Sequence, residues 1–259
     1  MLNIAHRGAS AAFPENTRPA IAGAWAAGAD LVEVDIQRTL DGRLVNFHDC
    51  TLERTSNVAE VFGNRDSYRV EDFTLEQLRR LDFGGWFGSQ HAGESLLTLS
   101  EIIRELPDAG GLLLELSPCG YSGLAEDVAR ELSSFPGFVS SRVDQGQLSV
   151  QSFVLSDAER FRQLLPEVPI GLLYPAERPF DDRELEAAAG WADQINPEHT
   201  MVDQALVQRV HSLRMRIFPW IVNQPERMRE LELLGVDGLI TDRPDLVSEL
   251  FGGMVRPEV

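Results

Sequence analysis

The sequence predicts an α/β protein built as a (β/α)8 TIM barrel, with an antiparallel hairpin extension of strand 2 and a small inserted segment after it. Three observations carry this expectation. Short apolar runs alternate with helically spaced segments along the whole chain, the pattern of a parallel sheet. The runs number eight once the second strand of the hairpin is set aside. A chain of 259 residues also has the length of eight such units closed into one barrel.

Taken in order, a first run at 2–5 leads to a helix at 17–27, and a second run at 31–36 reads Leu31-Val32-Glu33-Val34-Asp35-Ile36. Thr39-Leu40-Asp41-Gly42 then marks a turn, because Asp-Gly between two apolar runs supplies the positive φ of a tight hairpin. Read as a two-residue turn, Asp41-Gly42 pairs Leu40 with Arg43 and sets Asp35 opposite His48. Glu33, Asp35 and His48 then share one face, while Val32, Val34 and Ile36 pack against helices. A two-residue connection cannot join parallel neighbours, so the strand at 43–47 is an antiparallel addition. Residues 51–97 are too many for an ordinary connection. With a helix-like piece at 74–81 and the stretch Phe83-Gly84-Gly85-Trp86-Phe87-Gly88, they read as an insertion walling a pocket at the catalytic end. The remaining runs, 112–116, 148–152, 170–173, 193–195, 216–221 and 238–240, alternate with helices at 99–106, 124–132, 157–165, 183–189, 204–213 and 225–234. No repeat or linker divides the chain, so residues 1–259 are expected to form a single domain with its insertion at about 51–97.

Composition narrows the function. A net charge of −18, from 41 acidic and 23 basic residues, argues against a nucleic-acid or anionic-membrane surface. No lysine occurs anywhere, which excludes a Schiff-base or P-loop lysine. No apolar stretch is long enough to span a membrane. No charged and apolar leader opens the chain, and its two cysteines, Cys50 and Cys119, read as free thiols in a reducing cytoplasm.

Chemistry-bearing residues stand where apolar runs stop, the end at which such barrels carry their sites. His6 and Arg7 follow the first run, Glu33 and Asp35 lie in the second, and Glu115 ends the third. Singly, His6 would pass for a satisfied core histidine, Arg7 for an ion-pair partner, Glu115 for a surface carboxylate and Trp220 for a core residue. Together, three carboxylates from adjacent strands suit a hard divalent cation, Mg²⁺ or Ca²⁺, better than zinc. His91, His199 and His211 have no partner visible in the sequence.

Five motifs in order extend this reading: His6-Arg7-Gly8; Pro14-Glu15-Asn16-Thr17; Glu33-Val34-Asp35 with the Asp41-Gly42 turn; His48-Asp49 with Leu52-Glu53-Arg54-Thr55; and Trp220-Ile221-Val222-Asn223 with Gly235-Val236-Asp237-Gly238 and Thr241-Asp242-Arg243-Pro244. Their order and spacing resemble the glycerophosphodiester phosphodiesterases over essentially the whole chain. The resemblance implies a (β/α)8 barrel, one divalent cation held by Glu33, Asp35 and Glu115, and His6 and His48 as general base and general acid. It also implies Arg7 at the phosphate and Trp220 against the glycerol carbons, with Glu15, Asn16 and Asp49 in support.

The expected activity is hydrolysis of small glycerophosphodiesters to glycerol 3-phosphate and an alcohol by a cytoplasmic protein. No nucleic-acid partner and no stable membrane insertion are expected, and a homo-oligomer is left open. The family pattern Glu-x-Lys is here Glu115-Leu116-Ser117, so one cation beside the phosphate is missing. Two rival readings follow: a lysophospholipase D-like phosphodiesterase with an apolar channel near Trp86, Phe87 and Trp220, and a binding barrel without turnover.

Overall fold

The structure, a computed structural model, describes residues 1–63, 65–119 and 122–252. Its strands are β1 (Leu2–Ala5), β2 (Leu31–Arg38), β3 (Leu44–Asn46), β4 (Gly111–Leu116), β5 (Leu148–Ser152), β6 (Ile170–Tyr174), β7 (Gln194–Pro197), β8 (Arg216–Ile217) and β9 (Gly238–Thr241). All but β3 run parallel, in the order β8-β7-β6-β5-β4-β2-β1-β9. Beyond the ladders, Asp237 N donates to the Ile217 carbonyl (3.1 Å) and Ile240 N to that of Pro219 (3.0 Å), drawing the two ends of the sheet together. The result is a nearly closed eight-stranded parallel barrel with helices outside.

Alternation along the strands sets what faces where. Val32, Val34 and Ile36 of β2 join Leu112, Leu114, Val150, Leu172 and Ile195 in the core beneath the helices. Ile4, Leu31, Leu113, Phe218 and Ile240 form a smaller cluster inside the barrel. Each fully buried Val, Leu or Ile contributes about 1.5–3 kcal/mol. A one-residue slip of β2 would turn Glu33 and Asp35 into the outer core, so burial of the valines fixes the carboxylates inward.

The hairpin differs from the sequence expectation. Ile36 pairs with Asn46, Gln37 with Val45 and Arg38 with Leu44. Thr39 N donates to the Arg43 carbonyl (2.9 Å), and Gly42 alone of the turn takes positive φ, +75°. Leu40, Asp41 and Gly42 therefore form a three-residue loop, the type in which a turn is followed by one left-handed residue. The register moves by one: Asp35 stands opposite Phe47, whose N–H donates to the Asp35 carbonyl (2.8 Å), and His48 lies beyond the strand.

The inserted segment packs Leu52, Val58, Val70, Phe73, Leu78, Leu81, Phe83 and Leu96 into a separate core with Val45 and Phe47 of the hairpin. It holds helices at Val58–Phe62 and Leu75–Leu78, the second shorter than expected and started by a Thr74–Gln77 capping box. A helix at Phe138–Asp144, following Gly137 in the left-handed region, was not anticipated.

The cysteines also differ from expectation. Cys50 and Cys119 are joined as a disulfide, with an S–S distance of 2.06 Å and Cα atoms 5.4 Å apart. β3 and β4 both pair with β2, so the loops leaving them meet although 69 residues separate the two cysteines. The insertion fills the junction, with Val70 N donating to the Cys50 carbonyl and Arg69 to that of Cys119. This pairing removes the thiol argument for a reducing compartment. Among the described residues no helix is long and apolar enough to cross a membrane.

Candidate active site

At the rim of the barrel, Glu33, Asp35 and Glu115 each present a carboxylate oxygen within 4.8 Å of the others, and all three are buried. Register explains the convergence: Asp35 stands beside Glu115 across β2 and β4, and Glu33 lies two residues back on the same face. Burial, then the charges of Asp35 and Glu115, push the Glu33 carboxyl well above the usual carboxylate range, against the pull of Arg7. Burial and the Asp35 charge do the same to Glu115. Glu33 Oε1 is buried without a hydrogen-bond partner. A buried oxygen so placed is costly unless something positive meets it.

The segment after β1 curls over this centre. Arg7 takes φ +56° and Asn16 +60°, left-handed positions that cost about 1–3 kcal/mol each and persist where the surroundings impose them. The Arg7 conformation turns its N–H to Glu33 Oε2 (2.9 Å), and Asn16 Nδ2 donates to Asp35 Oδ2 (2.8 Å). Gly8 follows at φ +86°, where an added Cβ would lie 2.5 Å from the Ala20 carbonyl carbon. The Arg7 guanidinium donates to Glu15 (2.8 Å) and lies 3.4 Å from Asp35. Asn46 accepts from Asp35 N (3.0 Å) and donates to the Asn16 carbonyl (3.2 Å). In the shifted register it is Asn46, not His48, that reaches Asp35.

Two histidine–aspartate pairs flank the centre. His6 Nδ1 lies 2.7 Å from Asp242 Oδ1. Asn223 Nδ2 donates to Asp242 Oδ2 (2.6 Å), and the Ser10 hydroxyl lies 2.9 Å from Oδ1. Burial works to raise the Asp242 carboxyl, but the His6 hydrogen bond and charge, with Asn223 and Ser10, hold it at about 2. Burial, then Arg7, lower the His6 imidazole, opposed by Asp242 and Asp35.

His48 Nδ1 lies 2.6 Å from Asp49 Oδ1. Arg54 grips Asp49 with two hydrogen bonds (2.5 and 2.9 Å) and Glu15 with two more (2.8 and 2.7 Å). Against burial, Arg54 and His48 hold Asp49 at about 2. Contacts thus run unbroken from His48 through Asp49, Arg54, Glu15 and Arg7 to Asp35. Gln37, at the β2 position that faces this loop, donates to the carbonyls of Phe47 (2.7 Å), His48 (3.0 Å) and Asp49 (2.7 Å).

Trp220 follows β8, with Nε1 donating to the Asn196 carbonyl (2.7 Å) and its ring edge-on to Phe153. Ser117 is buried, and its hydroxyl accepts from Cys119 N (3.3 Å). It supports the disulfide-bearing turn, and a lysine there would offer Cys119 N no acceptor. Of the histidines without visible partners, His211 meets Asp237 (2.9 Å) and His91 lies edge-on to Phe13 and Phe87. His199 follows β7 with Nδ1 buried and unpartnered.

Sequence reasoning missed Asp242, Asn223, Arg54, Asn46 and Gln37 as members of this network. Asp242 had a signal: closing the barrel sets β9 beside β1, so the residue after β9 must stand near His6.

The buried carboxylate triad and His6 stand toward the C-terminal ends of the barrel strands, where such barrels carry their active sites, with His48 on the loop after β3. The model of the glycerophosphoryl diester phosphodiesterase family matches residues 6–246. A glycerophosphodiester phosphodiesterase of Caldanaerobacter subterraneus is 34% identical, covering 96% of this chain and 97% of that protein. One from Bacillus subtilis is 30% identical, covering 98% and 87%. The structure of an Oleispira antarctica phosphodiesterase in complex with the product sn-glycerol-3-phosphate shares the fold, with a TM-score of 0.77 at 24% identity over 96% of both chains. The chain belongs to the glycerophosphoryl diester phosphodiesterase family.

Proposed function

We propose that this protein hydrolyses glycerophosphodiesters to glycerol 3-phosphate and an alcohol, acting on free head-group diesters such as glycerophosphocholine. The observation that carries the reading is the buried Glu33–Asp35–Glu115 triad set among two histidine–aspartate pairs and Arg7. The activities named for the relatives agree with it.

The triad fits a divalent cation, Mg²⁺ or Ca²⁺: its donors are all hard oxygens, and Glu33 Oε1 is buried with no hydrogen-bond partner. When bound, such a cation offsets phosphoryl charge and lowers the pKa of a hydroxyl or water. Arg7, braced by Glu15 and Asp35, would meet the phosphate. His6 would take a proton at Nε2, its Nδ1 being engaged by Asp242, and the aspartate would stabilise the imidazolium formed. His48, fixed in the same sense by Asp49, would deliver a proton from Nε2 to the leaving alkoxide. Trp220, its ring fixed by Asn196 and Phe153, would wall the glycerol carbons. Asn16 and Glu15 hold the first loop in place, and Asp49 does so for His48.

The test is glycerol 3-phosphate release from glycerophosphocholine with Mg²⁺, with Ca²⁺ and with EDTA. Metal-dependent release is expected. No release from any of several head-group diesters would leave the chain a binding barrel.

A further inference from the structure

The interior of the barrel carries a second set of polar side chains that the proposed chemistry does not use. Gln151 on β5 stands beside Glu115, and its Nε2 donates to Glu115 Oε2 (3.2 Å). Asn196 on β7 donates from Nδ2 to Gln151 Oε1 (2.7 Å). Both amides are buried. These two residues are not on neighbouring strands, because β6 runs between β5 and β7. The β6 residue under the crossing is Gly171, and an added Cβ there would lie 2.7 Å from Asn196 Nδ2. A missing side chain on the middle strand is what lets Asn196 reach over it.

We propose that Gln151 and Asn196 are positioning residues for Glu115, and that Gly171 is the gap their contact requires. This inference rests on the reading of Glu115 as a cation ligand. The chemistry fixes the direction of the relay. To take a cation Glu115 must be ionised, and an ionised carboxylate can only accept, so Gln151 turns its NH₂ toward Glu115 and its oxygen away. That oxygen needs a donor, and the Asn196 amide supplies it. With Gln151 locked, one Glu115 oxygen is held and its carboxylate plane is set before any cation arrives. Partners of this kind typically govern metal affinity by about 10–100-fold.

Gln151→Leu removes the donor to Glu115. Asn196→Asp keeps the size but replaces a donor with an acceptor, so Gln151 must rotate and turn its oxygen on Glu115. Gly171→Ala adds one methyl group at a residue outside the left-handed region, so no backbone strain accompanies it. It displaces the flexible end of Asn196 rather than a piece of backbone.

The experiment is calorimetric titration of Mg²⁺, and separately Ca²⁺, into metal-free protein, with thermal unfolding of each variant as the check on folding. Expected is a loss of about 10–100-fold in affinity for Gln151→Leu and Asn196→Asp, and a smaller loss for Gly171→Ala. Asn196→Leu, which only removes the donor, should weaken binding less than Asn196→Asp. A residue that merely packs would not produce that order. Glu115→Gln is the control for the underlying reading. If the parent binds neither cation, or Glu115→Gln binds as the parent does, the cation reading and the relay fall together. If Glu115→Gln loses binding while the folded Gln151 and Asn196 variants bind as the parent does, the relay alone is overturned.

Discussion

The two histidines sit in unlike surroundings. His6 is 14% exposed, at the end of a barrel strand, and its aspartate is otherwise held by the neutral donors of Asn223 and Ser10. His48 is 38% exposed, on the loop that enters the insertion, and its aspartate is shared with the Arg54 fork. Asp242 therefore offers its whole charge to one imidazole, whereas part of the charge of Asp49 is already matched. Positioning differs as well. His6 is fixed by barrel closure, with His6 N donating to the Thr241 carbonyl (2.8 Å). His48 is fixed by Gln37 and an ion network that borrows Glu15 from the opposite loop. One of the two proposed proton-transfer groups belongs to the scaffold and the other is assembled across segments, so disturbances of the insertion should reach His48 first.

Exchanging either imidazole is the largest disturbance. His48→Ala should lower kcat for glycerol 3-phosphate release by about 10²–10⁴-fold with cation affinity unchanged; retained turnover would remove His48 from the reaction. The aspartates should separate the two pairs. Asp242→Asn, which leaves His6 without a charged partner, should cost about 10²-fold or more in kcat, and Asp49→Asn about 10-fold, because Gln37 still holds the loop. Equal losses would mean that the Arg54 fork makes no difference.

Arg54→Ala should act on both halves of its network, raising KM through a looser Arg7 and lowering kcat through a looser His48, each by about 10-fold or less. A change confined to KM would confine Arg54 to the phosphate side.

The smallest effect concerns stability against pH. Asp242 is held at about 2, below its ordinary value, so the folded state favours its ionised form. Its contribution, about 2 kcal/mol, is complete above the unfolded carboxylate value near 4 and disappears as pH falls from there toward 2. The gap between the parent and Asp242→Asn in denaturant titrations should therefore close as pH falls from about 5 toward 2. A gap that persists at pH 2 would show that the aspartate acts by packing rather than by charge.

The barrel strands were legible because parallel strands buried on both faces read as unbroken apolar runs, and Glu33, Asp35 and Glu115 were conspicuous where those runs carry charge. The hairpin was legible as a turn but not in register: Asp-Gly serves two-residue and three-residue loops alike, and only the bond from Thr39 N to the Arg43 carbonyl decides. Amide side chains were silent. Gln37, Asn46, Gln151 and Asn196 acquire their meaning from the groups that strand pairing and barrel closure bring beside them. Cys50 and Cys119 were likewise silent, since each sits in a loop whose neighbour is set by β2.

That disulfide makes a closed ring of the chain between its two ends. The ring encloses the whole inserted segment, with His48 just before it on one side and Glu115 just before its close on the other. A protease cut anywhere within the insertion would leave one covalent molecule whose two halves still meet at the site. The insertion can thus vary in length or be nicked while the loop of His48 stays tethered to the strand of Glu115.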